Sequence, residues 1–393
     1  MLMIILAIAL IAITLPGTLE LLALTLASLF HRNAPLDKAA AEQLRVAVII
    51  PAHNEQLTIA RCVESIAASR QGLDAEIVVI ADNCDDETAR LASKAGARVL
   101  ERQHEEQRGK GYALDFAFHT LLPEGFDAFL IVDADTVVQE DFLPVMASLF
   151  AQGADAVQCR YTPLNVEASL RTRLMNLSLM AFNALRPRGR SALGLSAGIL
   201  GNGFGLSAET LRAVPYTAAS VVEDLEYHIL LTRAGRRVHF TDRTWVKADM
   251  PTGGQGTQTQ RARWEGGRFR MIGTHVPLLL KRVLSGERLL VEPMLDLLLL
   301  PLSYHVLLLL FTIAIPVGFA RVYGLIALAL VLLHTLIAIW VGGGNLRDLR
   351  TLAIAPFYIL WKLTLLRLIG RTARQNASWI RTDRESGAGA RRD

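Results

Sequence analysis

Cysteine and aromatic residues are scarce in this chain. Only three cysteines occur among 393 residues, an odd number without the spacing of metal ligands, which predicts reduced thiols in a cytosolic domain. Aromatic residues make up 7% of the chain and do not alternate with basic residues as they do on nucleic-acid-binding surfaces. The composition therefore argues against a disulfide framework and against nucleic acid as a partner.

Charged residues are also few, at 20% of the chain, whereas hydrophobic residues reach 52%. The mean hydropathy of +0.33 is high for a soluble protein and indicates a membrane portion. The formal net charge is +4, and the basic residues gather beside the apolar segments. This distribution fits an anionic membrane face.

Long apolar runs lie at both ends of the chain. Residues 2–30, 295–319 and 323–341 are each long enough to span a bilayer. The first run begins without lysine or arginine and is followed by Arg32, which argues against a signal peptide and for a membrane anchor. Because basic residues cluster outside the runs, as at Arg347, the positive-inside rule places the middle of the chain in the cytosol.

A further apolar segment, residues 352–369, is interrupted by Pro356 and Lys362. We predict that it is an interfacial or re-entrant helix, with a fourth span as the alternative. His305 and His334 lie within the predicted spans. Such residues are candidates for function, but hydrogen bonding between helices is the favoured interpretation here.

The pattern changes between residues 45 and 275, where short β-branched runs alternate with helix-like stretches. This alternation predicts a mainly parallel sheet covered by helices on both faces, with ligands bound beyond the carboxyl ends of the strands. The polar clusters AHNE, DNCDD and DAD follow the first, second and fourth predicted strands. The predicted strands are 46–51, 76–81, 97–101 and 129–133, and the predicted helices are 55–69, 85–95 and 110–122.

Two acidic residues end the apolar run in the stretch FLIVDADTVV. Asp133 and Asp135 are one residue apart, and a hard divalent cation prefers such carboxylate oxygens. Acids that cap the following helix are the alternative. Earlier in the chain, a basic turn places Lys110 between two glycines, where the backbone can approach a phosphate and the lysine can neutralise it. A solvated basic turn is the alternative for Lys110.

Seven motifs in this middle region occur in the order found in family 2 glycosyltransferases: VIIPAHNE, VVIADNCDDET, RGKGYAL, IVDADT, GNGFGLS, VVEDLEYHILL and QTQRARW. The chain resembles the membrane-embedded members that carry a Gln-x-x-Arg-Trp motif, such as cellulose, hyaluronan and poly-N-acetylglucosamine synthases and ceramide glucosyltransferases. The resemblance covers residues 45–275. It implies an α/β fold with a GT-A domain, which is Rossmann-like and binds a nucleotide sugar, together with transmembrane and interfacial helices.

The resemblance also assigns the residues that bind the donor. Asp82 would accept a hydrogen bond from the nucleotide base, and Ala52, Asn54 and Glu55 would line the base and ribose. A turn that caps the next helix is the alternative for Asn54, and a helix cap is the alternative for Asp82.

The diphosphate, the metal and the chemical step are assigned in the same way. Lys110 would contact the diphosphate, Asp133 would face the donor sugar and ribose, and Asp135, with Asp133, would hold Mg²⁺ or Mn²⁺. Asp224 would be the base that takes the acceptor proton, with Glu223 beside it. Acids in a first helical turn that favour the helix dipole are the alternative for Glu223 and Asp224.

The last motif and the glycine-rich motif are assigned to the leaving group and the acceptor. Arg263 would stabilise the leaving diphosphate, Trp264 would stack on an acceptor sugar, and Gln260 and Asn202 would lie near the acceptor. A basic amphipathic helix on the membrane surface is a compatible alternative for the Gln260–Trp264 motif.

Together these features predict an inverting, metal-dependent hexosyltransferase of the inner or plasma membrane, multi-pass, with its catalytic domain in the cytosol. Its donor would be a nucleotide sugar, first of all a UDP-sugar, and its acceptor a polysaccharide or lipid-linked saccharide, as in exopolysaccharide biosynthesis, with export or assembly proteins as further partners. The alternatives are a non-processive glucosyltransferase acting on ceramide or diacylglycerol and an inactive membrane scaffold subunit. The expected parts are a transmembrane helix over 1–31, the GT-A domain over 45–275, interfacial and transmembrane helices over 276–370 and a basic cytosolic tail over 371–393.

Overall fold

The computed structural model describes residues 1–217, 223–252, 254–287 and 290–363, with the side chains of residues 254–264 and 362 outside that description. The chain forms two compact units. The first, here called the sheet unit, contains residues 27–164 and 186–249. The second, here called the helical unit, contains residues 1–26, 165–185 and the chain from residue 250 onward.

The sheet unit is built on one eight-stranded mixed sheet with strand order β3-β2-β1-β4-β7-β6-β8-β5. Strand β1 pairs in parallel with β2 and β4, and β2 pairs in parallel with β3. Strand β7 is antiparallel to both β4 and β6. The strands are β1 Arg45–Ala52, β2 Asp74–Asp82, β3 Arg98–Arg102, β4 Ala128–Ile131, β5 Thr136–Val138, β6 Ala156–Pro163, β7 Phe204–Ser207 and β8 Val238–Ala248.

The helices as the structure has them include three short irregular ones, the 3₁₀ helices Leu122–Glu124 and Val166–Ala168 and the π-helix Met180–Leu185. The α-helices are α1 Leu2–Ser28, α2 Lys38–Ala41, α3 Ile59–Ala68, α4 Thr88–Lys94, α5 Lys110–Leu121, α6 Phe142–Ala151, α7 Leu170–Leu179, α8 Arg186–Ala192, α9 Ala208–Ala213, α10 Glu223–Arg233, α11 Gly254–Leu284, α12 Val291–Leu298, α13 Leu302–Ala314, α14 Gly318–Val341, α15 Leu346–Leu352 and α16 Ala355–Leu363.

Both faces of the sheet are buried, because apolar residues follow one another along the central strands instead of alternating with polar ones. On one face, Val48 and Ile50 of β1 pack in a core with the buried residues of α3. On the other face, Ile49 packs in a second core with α5 and α10. Helix α3 supplies an apolar stripe at helical spacing, formed by Ile59, Cys62, Val63 and Ile66. The predicted α/β sheet covered on both faces is therefore confirmed, but the sheet is mixed and not mainly parallel, because β5 and β7 run antiparallel to the strands they pair with.

Two helices of the described residues are long and apolar enough to cross a membrane, α1 and α14. The predicted span over residues 295–319 is wrong as a single helix. Helices α12 and α13 replace it and meet at an angle of 71°, so they could form at most one broken span. Pro301 lies at this break and precedes the first residue of α13. Proline cannot donate a backbone hydrogen bond and disfavours helical geometry in the residue before it, which explains the bend.

The other apolar segment, 352–369, contains α16 within its described part, whereas residues 364–369 and the basic tail lie outside the described residues. In the helical unit, the two buried histidines contact α1. The ring of His305 hydrogen-bonds Thr18 Oγ1 at 3.1 Å, and the ring of His334 hydrogen-bonds Thr25 Oγ1 at 2.7 Å. The predicted hydrogen bonding between helices is confirmed for both histidines.

Candidate active site

The carboxyl ends of β1, β2 and β4 lie at the same edge of the sheet because these strands run in parallel. In open α/β sheets this edge is where ligands bind. Four of the predicted site residues end a strand or follow one at this edge: Ala52 and Asp82 are the last residues of β1 and β2, and Asp133 and Asp135 follow β4.

The loops after β1 and β2 are joined by hydrogen bonds. Asn54 adopts a left-handed backbone conformation with φ of 54°, and its Oδ1 accepts from the Asp85 backbone N–H at 3.0 Å. The Glu55 backbone N–H donates to Thr88 Oγ1 at 2.7 Å. Ala52 is buried, and its carbonyl accepts from Cys84 Sγ at 3.4 Å. These contacts fix the shape of the loops on which the predicted base-binding residues lie.

Asp82 forms a buried ion pair that the sequence did not reveal. Arg102 Nη1 donates to Asp82 Oδ1 at 2.6 Å, and the two side chains are only 8% and 7% exposed. Asn83 Nδ2 donates to the same oxygen at 3.0 Å. Arg102 ends β3 and lies opposite Asp82 in the parallel register. That register is the signal that could have found Arg102, but it requires the strand pairing to be known.

Lys110 begins α5, directly after Gly109, whose φ of 117° favours glycine. Its Nζ donates to Asp133 Oδ1 at 2.5 Å and to the Gly201 carbonyl. Burial by itself lowers the pKa of Lys110, but the carboxylates of Asp133, Glu223 and Asp224 outweigh burial and raise that pKa. Lys110 therefore stays protonated near neutral pH and neutralises part of the negative charge around it.

The loop after β4 presents both predicted metal ligands. It is closed by the Thr136 backbone N–H, which donates to the Asp133 carbonyl at 3.0 Å. Asp135 is 8% exposed, and its Oδ1 accepts from Thr136 Oγ1 at 3.3 Å. Two carboxylates one residue apart are oxygen donors of the kind that Mg²⁺ and Mn²⁺ prefer. In the described part of the chain, no group of three or more His, Cys, Asp or Glu side chains could hold a metal. The Asp133–Asp135 pair would hold such a cation through its carboxylate oxygens.

Asn202 is buried behind this loop. Its Oδ1 accepts from the Asp133 backbone N–H at 3.1 Å, and its Nδ2 donates to Thr136 Oγ1 at 2.9 Å. Only 1% of the residue is exposed. These bonds join the Asn202 side chain to the Asp133–Asp135 loop, and its predicted place near the acceptor stays a prediction.

Glu223 and Asp224 begin α10, and Asp224 Oδ1 accepts from the Leu225 backbone N–H at 2.8 Å. Burial, followed by the like charge of Asp224, raises the pKa of Glu223 to about 7. Burial also raises the pKa of Asp224, against the opposing influence of the Leu225 N–H and of Lys110. A carboxylate held in this way is a stronger base near neutral pH than an exposed one.

Gly201 connects these groups. Its carbonyl accepts from Lys110, and a methyl group placed on its Cα would lie 3.1 Å from Asp224 Oδ2. The structure thus brings Lys110, Asp133, Asp224 and the turn at Gly201 together. The remaining predicted residues, Gln260, Arg263 and Trp264, lie on α11, and their side chains are outside the described part of the structure. Their roles stay predictions.

Comparison with known proteins identifies the protein family that this chain matches. Residues 43–267 match the family model described as glycosyltransferase like family 2. The probable glycosyltransferase YdaM of Bacillus subtilis (strain 168) is 24% identical over 249 residues, which cover 61% of this chain and 59% of YdaM. The glucosyl-3-phosphoglycerate synthase of Mycolicibacterium paratuberculosis is 30% identical over 197 residues, which cover 45% of this chain and 57% of the synthase. The chain thus spans less than two thirds of either relative.

A solved structure is similar over nearly the whole chain. The mannosyltransferase PcManGT from Pyrobaculum calidifontis, in complex with GDP-Man and Mn²⁺, superposes with a TM-score of 0.56 at 18% sequence identity. The superposition covers 94% of this chain and 97% of PcManGT. At this identity the likeness shows the fold, which is the mixed α/β sheet of GT-A glycosyltransferases.

Proposed function

The chain belongs to glycosyltransferase-like family 2, and on that basis we propose that it is an inverting, metal-dependent hexosyltransferase acting at the cytosolic face of a membrane. It would move a sugar from a nucleotide sugar, first of all a UDP-sugar, to a polysaccharide or lipid-linked saccharide. The observation that carries the proposal is the contact of the Lys110 ammonium with Asp133 and Gly201, beside the two carboxylates of α10.

The buried pair of Asp82 and Arg102 supports recognition of a nucleotide base by its edge. The pair offers an acceptor next to donors. Every base presents a donor beside an acceptor on its pairing edge, so the pair suits recognition of a base in general. By the family resemblance we propose a UDP-sugar as the donor, with a GDP-sugar as the second choice. PcManGT, which has this fold, was solved with GDP-Man.

For the cofactor, we extend to this chain the Mn²⁺ of the PcManGT complex, with Mg²⁺ as the other choice. Asp135 and Asp133 would hold the cation together with the diphosphate oxygens. When bound, the cation withdraws charge from the leaving diphosphate. Lys110 would add to this effect, because its protonated Nζ, which donates to Asp133, is the group assigned to the diphosphate.

The acidic residues at the start of α10 would take up the proton of the acceptor hydroxyl. Asp224 would accept the proton of the acceptor hydroxyl as that oxygen attacks the anomeric carbon from the face opposite the diphosphate, which inverts the configuration. Its raised pKa makes Asp224 a better base at neutral pH. Glu223, with a pKa of about 7, would support the acceptor or share the proton.

The acceptor side of the proposal rests on the apolar helices. Helices α1 and α14 are long enough to cross a bilayer, which is compatible with a membrane-held acceptor. By the family resemblance, Arg263 keeps its proposed role toward the diphosphate, and Trp264 and Gln260 keep theirs toward the acceptor sugar.

The test is a donor panel with the purified full-length protein in detergent or nanodiscs. UDP-glucose, UDP-galactose, UDP-N-acetylglucosamine and GDP-mannose are each supplied with Mn²⁺ and a membrane lipid extract, and nucleoside diphosphate release and labelled product are measured. We expect one donor to give release that Asp224→Asn removes. Transfer to ceramide or diacylglycerol alone would favour a lipid glucosyltransferase. Folded protein that releases no nucleotide from any donor would refute the proposal and favour a scaffold subunit.

A further inference from the structure

The Asp133–Asp135 loop is anchored from behind by a turn of the glycine-rich motif, residues 200–203. We infer that Asn202 is a positioning residue, which sets the two metal-binding carboxylates through hydrogen bonds instead of contacting an acceptor. The inference rests on the proposed function in one respect, that the cation and the donor diphosphate bind at this loop.

The orientation of the Asn202 amide follows from its partners. The Asp133 backbone N–H can only donate, so the amide oxygen must face it, at 3.1 Å. The amide nitrogen then faces Thr136 Oγ1, at 2.9 Å. Because the Thr136 hydroxyl accepts from Asn202, its own proton is free to point to Asp135 Oδ1, at 3.3 Å. The amide thus contacts one metal-binding residue directly and the other through a single hydroxyl.

Asn202 is itself held in place by Gln158 of β6. Gln158 is fully buried, and its Nε2 donates to the Asn202 carbonyl at 2.8 Å. Its Oε1 accepts from the Leu200 backbone N–H at 2.8 Å. The side chain of Gln158 therefore bridges both ends of the turn. A buried polar network in which each partner is satisfied holds its members rigidly.

The same turn reaches the other charged groups of the site. The Gly201 carbonyl accepts from Lys110, and Gly201 lies against Asp224. A change at Asn202 is therefore transmitted first to the Asp133–Asp135 loop, through side-chain bonds, and only secondarily to Lys110 and Asp224, through the backbone. This order distinguishes a positioning role toward the cation from a role toward the acceptor.

The experiment measures Mn²⁺ affinity in the full-length protein, by electron paramagnetic resonance with UDP or GDP present. Partners that orient metal ligands typically contribute 10–100-fold to affinity. We expect Asn202→Ala to weaken Mn²⁺ binding by about 10-fold or more. The matched control is Asn165→Ala, because Asn165 also makes two amide hydrogen bonds, to the Met250 N–H and carbonyl at 2.9 and 2.8 Å. The control should change Mn²⁺ affinity by less than about twofold, well below the effect expected at Asn202.

A second pair of variants tests the same inference if Asn202→Ala does not fold. Thr136→Ser keeps the hydroxyl that links Asn202 to Asp135, and Thr136→Val removes it at similar volume. We expect Mn²⁺ affinity to be retained with serine and lost with valine. Equal affinities in the two variants would contradict the inference.

Hydrogen exchange provides a readout that needs neither metal nor donor. Loss of the Asn202 acceptor should speed exchange in peptides that contain the Asp133 amide, whereas Asn165→Ala should leave them unchanged. If the wild type binds no Mn²⁺ with either nucleotide, the proposed function fails, and exchange alone decides the inference. Unchanged exchange and Mn²⁺ affinity in Asn202→Ala, or an effect confined to the acceptor KM, would overturn it.

Discussion

Replacing Gly201 by alanine should slow sugar transfer while leaving donor binding nearly intact. The added methyl group would lie 3.1 Å from Asp224 Oδ2, the atom proposed to take the acceptor proton. Ordinary contacts begin at 3.4 Å, so the carboxylate must retreat by about 0.3 Å. The variant therefore moves the proposed base without removing any functional group.

Two effects of different kind follow from the structure. The φ of Gly201 is +80°, and a residue with a Cβ in the left-handed region costs about 1–2 kcal/mol of folding free energy. The displacement of the Asp224 carboxylate lowers kcat and leaves the free energy of folding unchanged. Misplacement by about 1 Å costs on the order of 10²-fold, so a shift of about 0.3 Å scales to roughly fourfold in kcat.

Gly194→Ala separates the two effects. Gly194 has a φ of +74°, close to that of Gly201, but among the residues that the structure describes no heavy atom outside its immediate chain neighbours lies within 4 Å of the position of its added methyl group. Both variants should lose similar free energy of unfolding in a denaturant titration. Only Gly201→Ala should lower kcat.

The assay is the release of nucleoside diphosphate at saturating donor, with the donor KM measured in parallel. A donor KM that rises with kcat unchanged would show that the backbone moved at the Lys110 contact and that Asp224 did not. A kcat equal to that of Gly194→Ala would refute the reasoning that places the base against Gly201.

Four further predictions concern the same site and its product. Asp135→Ala should abolish turnover and Mn²⁺-dependent UDP binding without lowering the unfolding temperature; near wild-type transfer would contradict the metal assignment. Asp224→Asn should keep donor affinity but reduce transfer by about 10²–10⁴-fold. Wild-type kcat/KM should rise with pH, because burial raises the pKa of the proposed base Asp224 and raises the pKa of its neighbour Glu223 to about 7, so that acid protonates these carboxylates. Arg102→Ala should weaken UDP binding by calorimetry more than Arg98→Ala, which removes an ion pair on the same strand; equal losses would argue against base recognition. A monomer in nanodiscs should make short, lipid-extractable product on a sizing gel, because the described residues offer at most three spans for an export path; long polymer would contradict this.

The sheet and the edge that carries the site could be predicted because their causes are local. Continuous apolar runs in β1, β2 and β4 are typical of strands buried on both faces, and polar residues follow them where each strand ends. Lys110 was predicted to contact the diphosphate, and Asp133 was predicted to face the donor sugar and ribose and to hold the metal with Asp135, so no direct contact between the two side chains was predicted. The structure shows that the two side chains also contact each other directly.

What could not be predicted depends on which segments become neighbours. Arg102 follows β2 by twenty residues, and only the parallel register of β3 brings it to Asp82. Asn202 was assigned to the acceptor with the rest of the glycine-rich motif, and its hydrogen bond to the Asp133 backbone was not predicted, because that bond depends on β7 running antiparallel to β4. Pro301 is different, since the break between α12 and α13 could have been anticipated from the sequence alone.

The hydrogen bonds between α1 and the other helices bear on how this protein can be handled. Thr14 bonds the hydroxyl of Tyr323 at 2.9 Å, and Thr18 and Thr25 bond His305 and His334. An expression strategy that trims the N-terminus to obtain a water-soluble enzyme would remove one hydrogen-bond partner from each of three polar side chains, two of which are the buried histidines. Helix α1 is thus an integral part of the helical unit and not a separable membrane anchor. A detergent-free preparation of the enzyme should therefore be sought by redesigning the whole helical unit.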